Sequence, residues 1–288
     1  MSATEVRLFS HSSLVELSAR RTMQLRVARR YESGQPSYPA HPNRALVVQL
    51  PDVVTLPTKE VIQLQKAGIL ARYEPLEAKD YPRELRNPYF TVYLLKPYGL
   101  VYNKSLLGKD AVPRKYSELS SETWKGRLVL IDPLRNEGVL NWFACMLEVL
   151  GASMLKRVYR QASQQVGGFE EGLDRVLKGE SWAAFPMRLS KTVLNNSSLG
   201  FALLPPVFAE TDAIAVLEKG ASPNSARLFM NFMLSEQGQL LLSEQGYVPT
   251  RKGISSPVDL TGVELILDLE ECDARRAREE ASKLCTGG

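Results

Sequence analysis

Short apolar runs alternate with segments of helical periodicity along most of the chain. The runs at 53–56 and 127–131 are rich in valine, leucine and isoleucine, which is typical of buried strands. The segment after the first run places Val61, Leu64 and Ala67 on one helical face. Strands that alternate with helices in this way predict an α/β fold with mostly parallel strands.

The most apolar stretch of the chain, residues 139–155, predicts a helix in the protein core. Asn141 and Glu148 interrupt it, so it lacks the run of about 18 apolar residues that a membrane span requires. We therefore expect a buried helix here. Cys145 lies within the stretch and is expected to be a core residue.

The other two cysteines, Cys272 and Cys285, lie near the C-terminus. On one continuous helix they would be roughly 20 Å apart, which is too far for a disulfide. Their pairing needs a break in that helix, and the sequence leaves this open. No cysteine or histidine spacing typical of a zinc site occurs, so we expect no metal.

Composition is that of a globular protein with room for one large domain or two ordinary ones, at 288 residues, 44% hydrophobic and 24% charged. The net charge of +4 is small. Five arginines lie between residues 20 and 30. Because no nucleic-acid-binding motif accompanies them, we interpret them as the exposed face of a helix ending near Tyr31. Nucleic acid is not an expected partner.

Motifs for covalent or metal-dependent catalysis are missing from the sequence. There is no nucleophile elbow, phosphate-binding P-loop or HExxH motif. The histidines are His11 and His41, and His11 is adjacent to Ser12, which it cannot easily reach as a base. We therefore expect a non-catalytic protein without a cofactor.

The first residues do not form a signal peptide, because Met-Ser-Ala-Thr-Glu leads directly into the apolar run at 6–9. We expect a periplasmic or extracellular protein if a leader has been removed. The alternatives are a cytosolic protein and an incomplete reading of a longer gene.

Several segments in order resemble the extracellular solute-binding proteins of ABC importers, in the branch that includes ferric-iron-binding proteins. They are Pro-Asp-Val-Val-Thr at 51–55, Gln-Lys-Ala-Gly-Ile-Leu at 65–70, Tyr-Gly-Leu-Val-Tyr-Asn at 98–103, Trp-Lys-Gly-Arg-Leu at 124–128, and the runs at 225–240 and 246–251.

This resemblance implies a two-lobed, type II periplasmic-binding-protein fold, in which each lobe is a mixed sheet flanked by helices and crossing strands form a hinge. Lobe I would comprise residues 1–97 and 207–288, and lobe II residues 98–206. A small ligand would bind in the cleft between them. The partners implied are that ligand and the membrane permease of an ABC importer, and a monomer is expected.

Candidate ligand-binding residues follow predicted strands or lie at the predicted crossovers. They are Ser10, Ser12, Ser13, Thr55, Arg135, Asn136, Arg188, Thr211 and Asp212. The serine hydroxyls could donate to an oxyanion or cap a helix. At the returning crossover, Glu210 and its two neighbours could face the ligand or brace the hinge.

The expected ligand is anionic. Ferric-binding relatives typically use adjacent tyrosines, whereas the corresponding segment here is Phe-Pro-Met-Arg-Leu-Ser-Lys at 185–191 and the chain has no Tyr-Tyr pair. Arg188 offers a planar fork that suits phosphate or carboxylate. The alternatives are ferric iron bound through other side chains, and a cytosolic enzyme or ligand sensor on the same scaffold.

Overall fold

The computed structural model describes residues 52–269 and 272–285, together with the backbone of residues 6–10 and 25–28. Ser12, Ser13 and both histidines lie outside the described residues. Two compact units are present. Unit 1 contains the described residues of Met1–Leu94, Asp212–Leu241 and Thr250–Ile254, and unit 2 those of Leu95–Thr211, Leu242–Pro249 and Ser255–Gly288.

Strands and helices alternate along the described chain. The strands are β1 Val6–Ser10, β2 Leu25–Ala28, β3 Val53–Pro57, β4 Phe90–Asn103, β5 Leu128–Ile131, β6 Ala162–Val166, β7 Ala183–Arg188, β8 Leu199–Ala202, β9 Val207–Val216, β10 Val248–Pro249 and β11 Leu265–Leu267. The α-helices are α1 Thr58–Lys66, α2 Tyr116–Leu119, α3 Glu137–Tyr159, α4 Phe169–Leu177, α5 Lys191–Asn195, α6 Pro223–Leu234, α7 Glu236–Glu244 and α8 Ala274–Cys285. Short 3-10 helices lie at Leu76–Asp80, Arg83–Leu85, Lys109–Ala111 and Glu122–Trp124.

Unit 1 is built on a mixed sheet in the order β2–β1–β3–β9. β1 is parallel to both β2 and β3, and residues 212–216 of β9 run antiparallel to β3. The interpretation of the basic segment as a helix up to Tyr31 is wrong at residues 25–28. These residues form β2, because pairing with β1 satisfies their backbone groups in a way that local sequence cannot reveal.

Unit 2 contains the sheet order β4–β7–β5–β6. β5 is parallel to both β6 and β7, whereas β4 is antiparallel to β7 and β8. β11 adds a parallel strand beside β9. The mixed α/β architecture predicted from the alternating pattern is therefore observed.

The division into units differs from the predicted lobes at residues 95–97, 207–211 and 242–249, and most extensively at the C-terminus. The prediction placed residues 255–288 in lobe I, whereas the described part of Ser255–Gly288 belongs to unit 2. Helix α8 explains the difference, because it packs against α3 and buries Ala277 and Ala281 completely in the core of unit 2.

Helix α3 is the central core element of unit 2, as the apolar stretch predicted. Among the described residues it is the helix long and apolar enough to cross a membrane by length and mean hydropathy alone, although Asn141 and Glu148 interrupt its apolar run. The buried core helix of a folded unit can have the same length and composition. Its residues Trp142 and Met146 have no exposed surface, because strands and helices of unit 2 pack around them. A kink at Gly151 interrupts the helix.

A disulfide joins Cys145 in α3 to Cys272, just before α8, with 5.2 Å between the two Cα atoms. Cys145 is buried, as expected for a core residue, but the disulfide had not been predicted. The open question of whether Cys272 pairs with Cys285 is thereby answered, because tertiary packing brings Cys272 next to a cysteine 127 positions earlier.

Removal of this disulfide tests its structural role. The disulfide closes a long loop and so lowers the entropy of the unfolded chain. We therefore expect the double variant Cys145→Ser, Cys272→Ser to lose about 2–5 kcal/mol of unfolding free energy. Denaturant unfolding under oxidising conditions measures the loss. Cys285→Ser is the control, since it retains both bridge cysteines. Equal unfolding midpoints for parent and double variant would contradict the assignment.

Candidate functional site

Polar side chains gather where three neighbouring strands of unit 2 end. β6 and β7 both run parallel to β5, so the carboxyl ends of the three strands face the same edge. The loop 132–138 follows β5, residues 167–168 follow β6, and Arg188 ends β7. Ligands of open α/β sheets bind outside the carboxyl ends of the strands. This edge is therefore the candidate site of unit 2.

The loop after β5 is shaped by its own side chains. Asp132 accepts a hydrogen bond from the backbone N–H of Leu134 at 2.8 Å. Asn136 caps α3, because its Oδ1 accepts from the N–H of Val139 at 3.1 Å. The side chain of Asn136, a predicted ligand-binding residue, thus fixes the start of the helix.

Arg135 lies against the loop that follows β6. A Cβ atom at Gly167 would lie 2.9 Å from Cζ of Arg135, so the guanidinium lies directly against the backbone of this glycine. Arg135 therefore lies at the carboxyl ends of β5 and β6.

Arg188 is held from two sides. Its Nη1 donates to Oε2 of Glu210 at 3.0 Å, and its Cζ lies 4.9 Å from the centre of the Phe169 ring at the start of α4. The Arg188 side chain is 40% exposed, whereas that of Glu210 is only 14% exposed. A partly exposed guanidinium is therefore kept in a fixed place by a mostly buried carboxylate.

Tyr98 completes this network and had not been predicted. It lies opposite Arg188 in the antiparallel pair of β4 and β7. Its hydroxyl donates to Oε1 of Glu210 at 2.6 Å, and its ring packs edge-on against Phe169 and Phe208. Burial, followed by the nearby Glu210 carboxylate, raises the pKa of Tyr98 well above its usual value.

The network of Tyr98, Arg188 and Glu210 touches the first turn of α3. A Cβ atom at Gly138 would lie 2.8 Å from the Tyr98 hydroxyl and 2.9 Å from Oε1 of Glu210. Glycine here lets the helix start approach both side chains closely. The N-terminus of a helix carries partial positive charge, so it favours the Glu210 carboxylate.

The remaining predicted residues have other surroundings. Ser10 is the backbone partner of Thr55 on the adjacent strand in unit 1, where Thr55 is buried. Asp212, also buried, pairs with Pro57 in the same unit. In unit 2, Thr211 donates both its N–H and its hydroxyl to Asp268, at 2.7 and 2.8 Å. Thr211 thus braces the segment after β11.

Within residues 52–269 and 272–285, no group of three or more His, Cys, Asp or Glu side chains is placed to hold a metal ion.

A two-unit α/β fold with polar groups at strand ends is that of the ligand-binding proteins of the periplasmic-binding class. The model of the family described as bacterial extracellular solute-binding protein matches residues 49–263. The chain belongs to this family, as its resemblance had indicated. The family and the structural neighbours are substrate-binding transport proteins and not enzymes.

Solved structures with the same fold come from several bacteria. Iron-bound HitA of Pseudomonas aeruginosa superposes with a TM-score of 0.70 at 18% identity, over 97% of this chain and 99% of that one. PotD of Streptococcus pneumoniae, a spermidine/putrescine transporter protein, gives 0.71 at 14% identity, over 98% of each chain. AfuA of Actinobacillus pleuropneumoniae, with fructose-6-phosphate bound, gives 0.64 at 14% identity, over 98% and 97%. No curated protein sequence gives a match.

The raised pKa of Tyr98 predicts a pH dependence of stability. The folded state favours the neutral phenol of Tyr98. Its contribution to the unfolding free energy is therefore complete below about pH 10, and it is lost as pH rises because the tyrosine ionises first in the unfolded chain. Above that pH, we expect the unfolding free energy of Tyr98→Phe to fall less steeply with pH than that of the parent protein. The two slopes should differ by up to about 1.4 kcal/mol per pH unit. Urea unfolding between roughly pH 9.5 and 11 measures it. Parallel curves for parent and variant would contradict the prediction.

Proposed function

We propose that this chain captures a small ligand with an anionic group at the strand ends of unit 2. The observation that carries the proposal is the placement of two guanidinium groups, Arg135 and Arg188, at the carboxyl ends of neighbouring parallel strands. The starts of α3 and α4 lie at the same edge and present backbone N–H groups. Arginine binds phosphate or carboxylate through two parallel hydrogen bonds, which adds direction to charge.

The fold by itself does not select a ligand. The neighbours named above are an iron-bound protein, a fructose-6-phosphate-bound protein and a spermidine/putrescine transporter protein. The side chains at the strand ends must therefore determine which class of ligand is bound. Two arginines there favour an anion over a cation.

We further propose that the protein works outside the cytoplasm as a monomer and delivers its ligand to the permease of an ABC importer. Membership of an extracellular solute-binding family supports this location and this partner. The disulfide between Cys145 and Cys272 also supports it, because disulfides persist in oxidising compartments and are rare in the cytosol.

A ligand screen tests the proposal. Fructose 6-phosphate, inorganic phosphate, spermidine and ferric citrate can each be added in a thermal unfolding assay, since a ligand at 100 times its Kd stabilises by about 2.7 kcal/mol. We expect the phosphate compounds to raise Tm. Stabilisation by spermidine alone would contradict an anionic ligand. Stabilisation by ferric citrate, but not by the same concentration of citrate, would indicate bound iron instead.

Substitution of Arg188 then locates the site. Loss of a charged hydrogen bond is worth roughly 1.5–3 kcal/mol, so we expect Arg188→Ala to weaken binding of the active anion by about 10- to 150-fold in calorimetry. Arg175→Ala is the matched control, because Arg175 is also paired with carboxylates but lies in the last turn of α4. Unchanged affinity in Arg188→Ala would remove this residue from the site.

A further inference from the structure

The carboxylate of Glu210 lies where the parts of the candidate site meet. One oxygen accepts from Arg188, at 3.0 Å, and the other from the hydroxyl of Tyr98, at 2.6 Å. The second oxygen also lies close to the first turn of α3 at Gly138. A guanidinium, a hydroxyl donor and the start of a helix are also the groups that would stabilise a bound anionic ligand.

The burial of this carboxylate makes it a strong competitor for Arg188. Its side chain is 14% exposed, so water screens its attraction to the guanidinium only partly. Tyr98 fixes its position from the interior, through a ring packed between Phe169 and Phe208. An anion that approaches the more exposed Arg188 must compete with a charge that is already in place.

We propose that Glu210 is a specificity-determining residue, an internal counter-ion that an anionic ligand must displace from Arg188. This inference rests on the proposed function. A carboxylate ligand offers Arg188 one negative charge in exchange for another, whereas a phosphate monoester carries about 1.5–2 charges at pH 7. Glu210 therefore selects phosphate monoesters over simple carboxylates.

The substitution Glu210→Gln separates charge from shape. The amide oxygen of glutamine can still accept the hydrogen bond from Tyr98, while its NH₂ group is a donor and cannot accept one from Arg188. We expect the variant to bind fructose 6-phosphate about tenfold more tightly than the parent protein, and gluconate with a still larger gain. Isothermal titration with both probes measures the two affinities and their ratio.

Two controls accompany this measurement. Glu180→Gln removes a carboxylate that pairs with Arg175 at 2.8 Å, beyond the far end of α4, and should leave both affinities unchanged. Spermidine tests the opposite assignment, in which Glu210 binds a cationic ligand directly. Thermal unfolding of each variant shows that the protein is folded.

The outcomes distinguish the inference from the proposed function. Tighter phosphate binding in Glu210→Gln, with a reduced preference over gluconate, supports the inference. Equal or weaker binding in that variant, while Arg188→Ala still loses affinity, overturns the inference and leaves the proposed function intact. Spermidine binding that Glu210→Gln abolishes overturns both, as does a complete lack of anion binding in parent and variant.

Discussion

The burial of helix α3 is the constraint on which most of unit 2 depends. Its apolar residues fill the centre of that unit, so the positions of its two ends are fixed by packing rather than by local sequence. The N-terminal end carries the Asn136 cap and Gly138, against which the network of Tyr98, Arg188 and Glu210 is placed. Farther along the helix, Cys145 forms the disulfide with Cys272, just before α8. One packed helix thus organises both the candidate site and the attachment of the C-terminus.

The candidate site combines positive and negative side chains beside the start of the buried helix α3. Arg135 and Arg188 supply positive charge at the strand ends, and Glu210 neutralises the second of them from a mostly buried position. Solved proteins with this fold differ in the ligands that their names state, although their TM-scores here span only 0.64 to 0.71. The fold by itself therefore does not define the ligand.

Contacts distant in sequence also hold the later segments in place. Asp268, after β11, accepts two hydrogen bonds from Thr211 in unit 2. In unit 1, Arg251 pairs with Glu77 at 2.6 Å and Asp80 at 2.7 Å, and also donates to the carbonyl of Leu234. Polar residues of the types that bind ligands thus also brace the fold, as Thr211 does.

From the sequence alone we could predict the α/β class, the buried helix α3, the family, and the placement of Arg135, Asn136 and Arg188 at strand ends. Each of these follows from hydrophobic periodicity or from an ordered set of local segments. Long-range contacts of the folded chain were needed to identify the partner of Cys272, the strand at residues 25–28, and the pairing of Tyr98 and Arg188 with Glu210. Tyr98 and Glu210 are 112 positions apart in the chain, and no local pattern records which distant residues a sheet brings side by side. Arg188 was recognisable as a cation, but its buried counter-ion became visible only once the strands were paired.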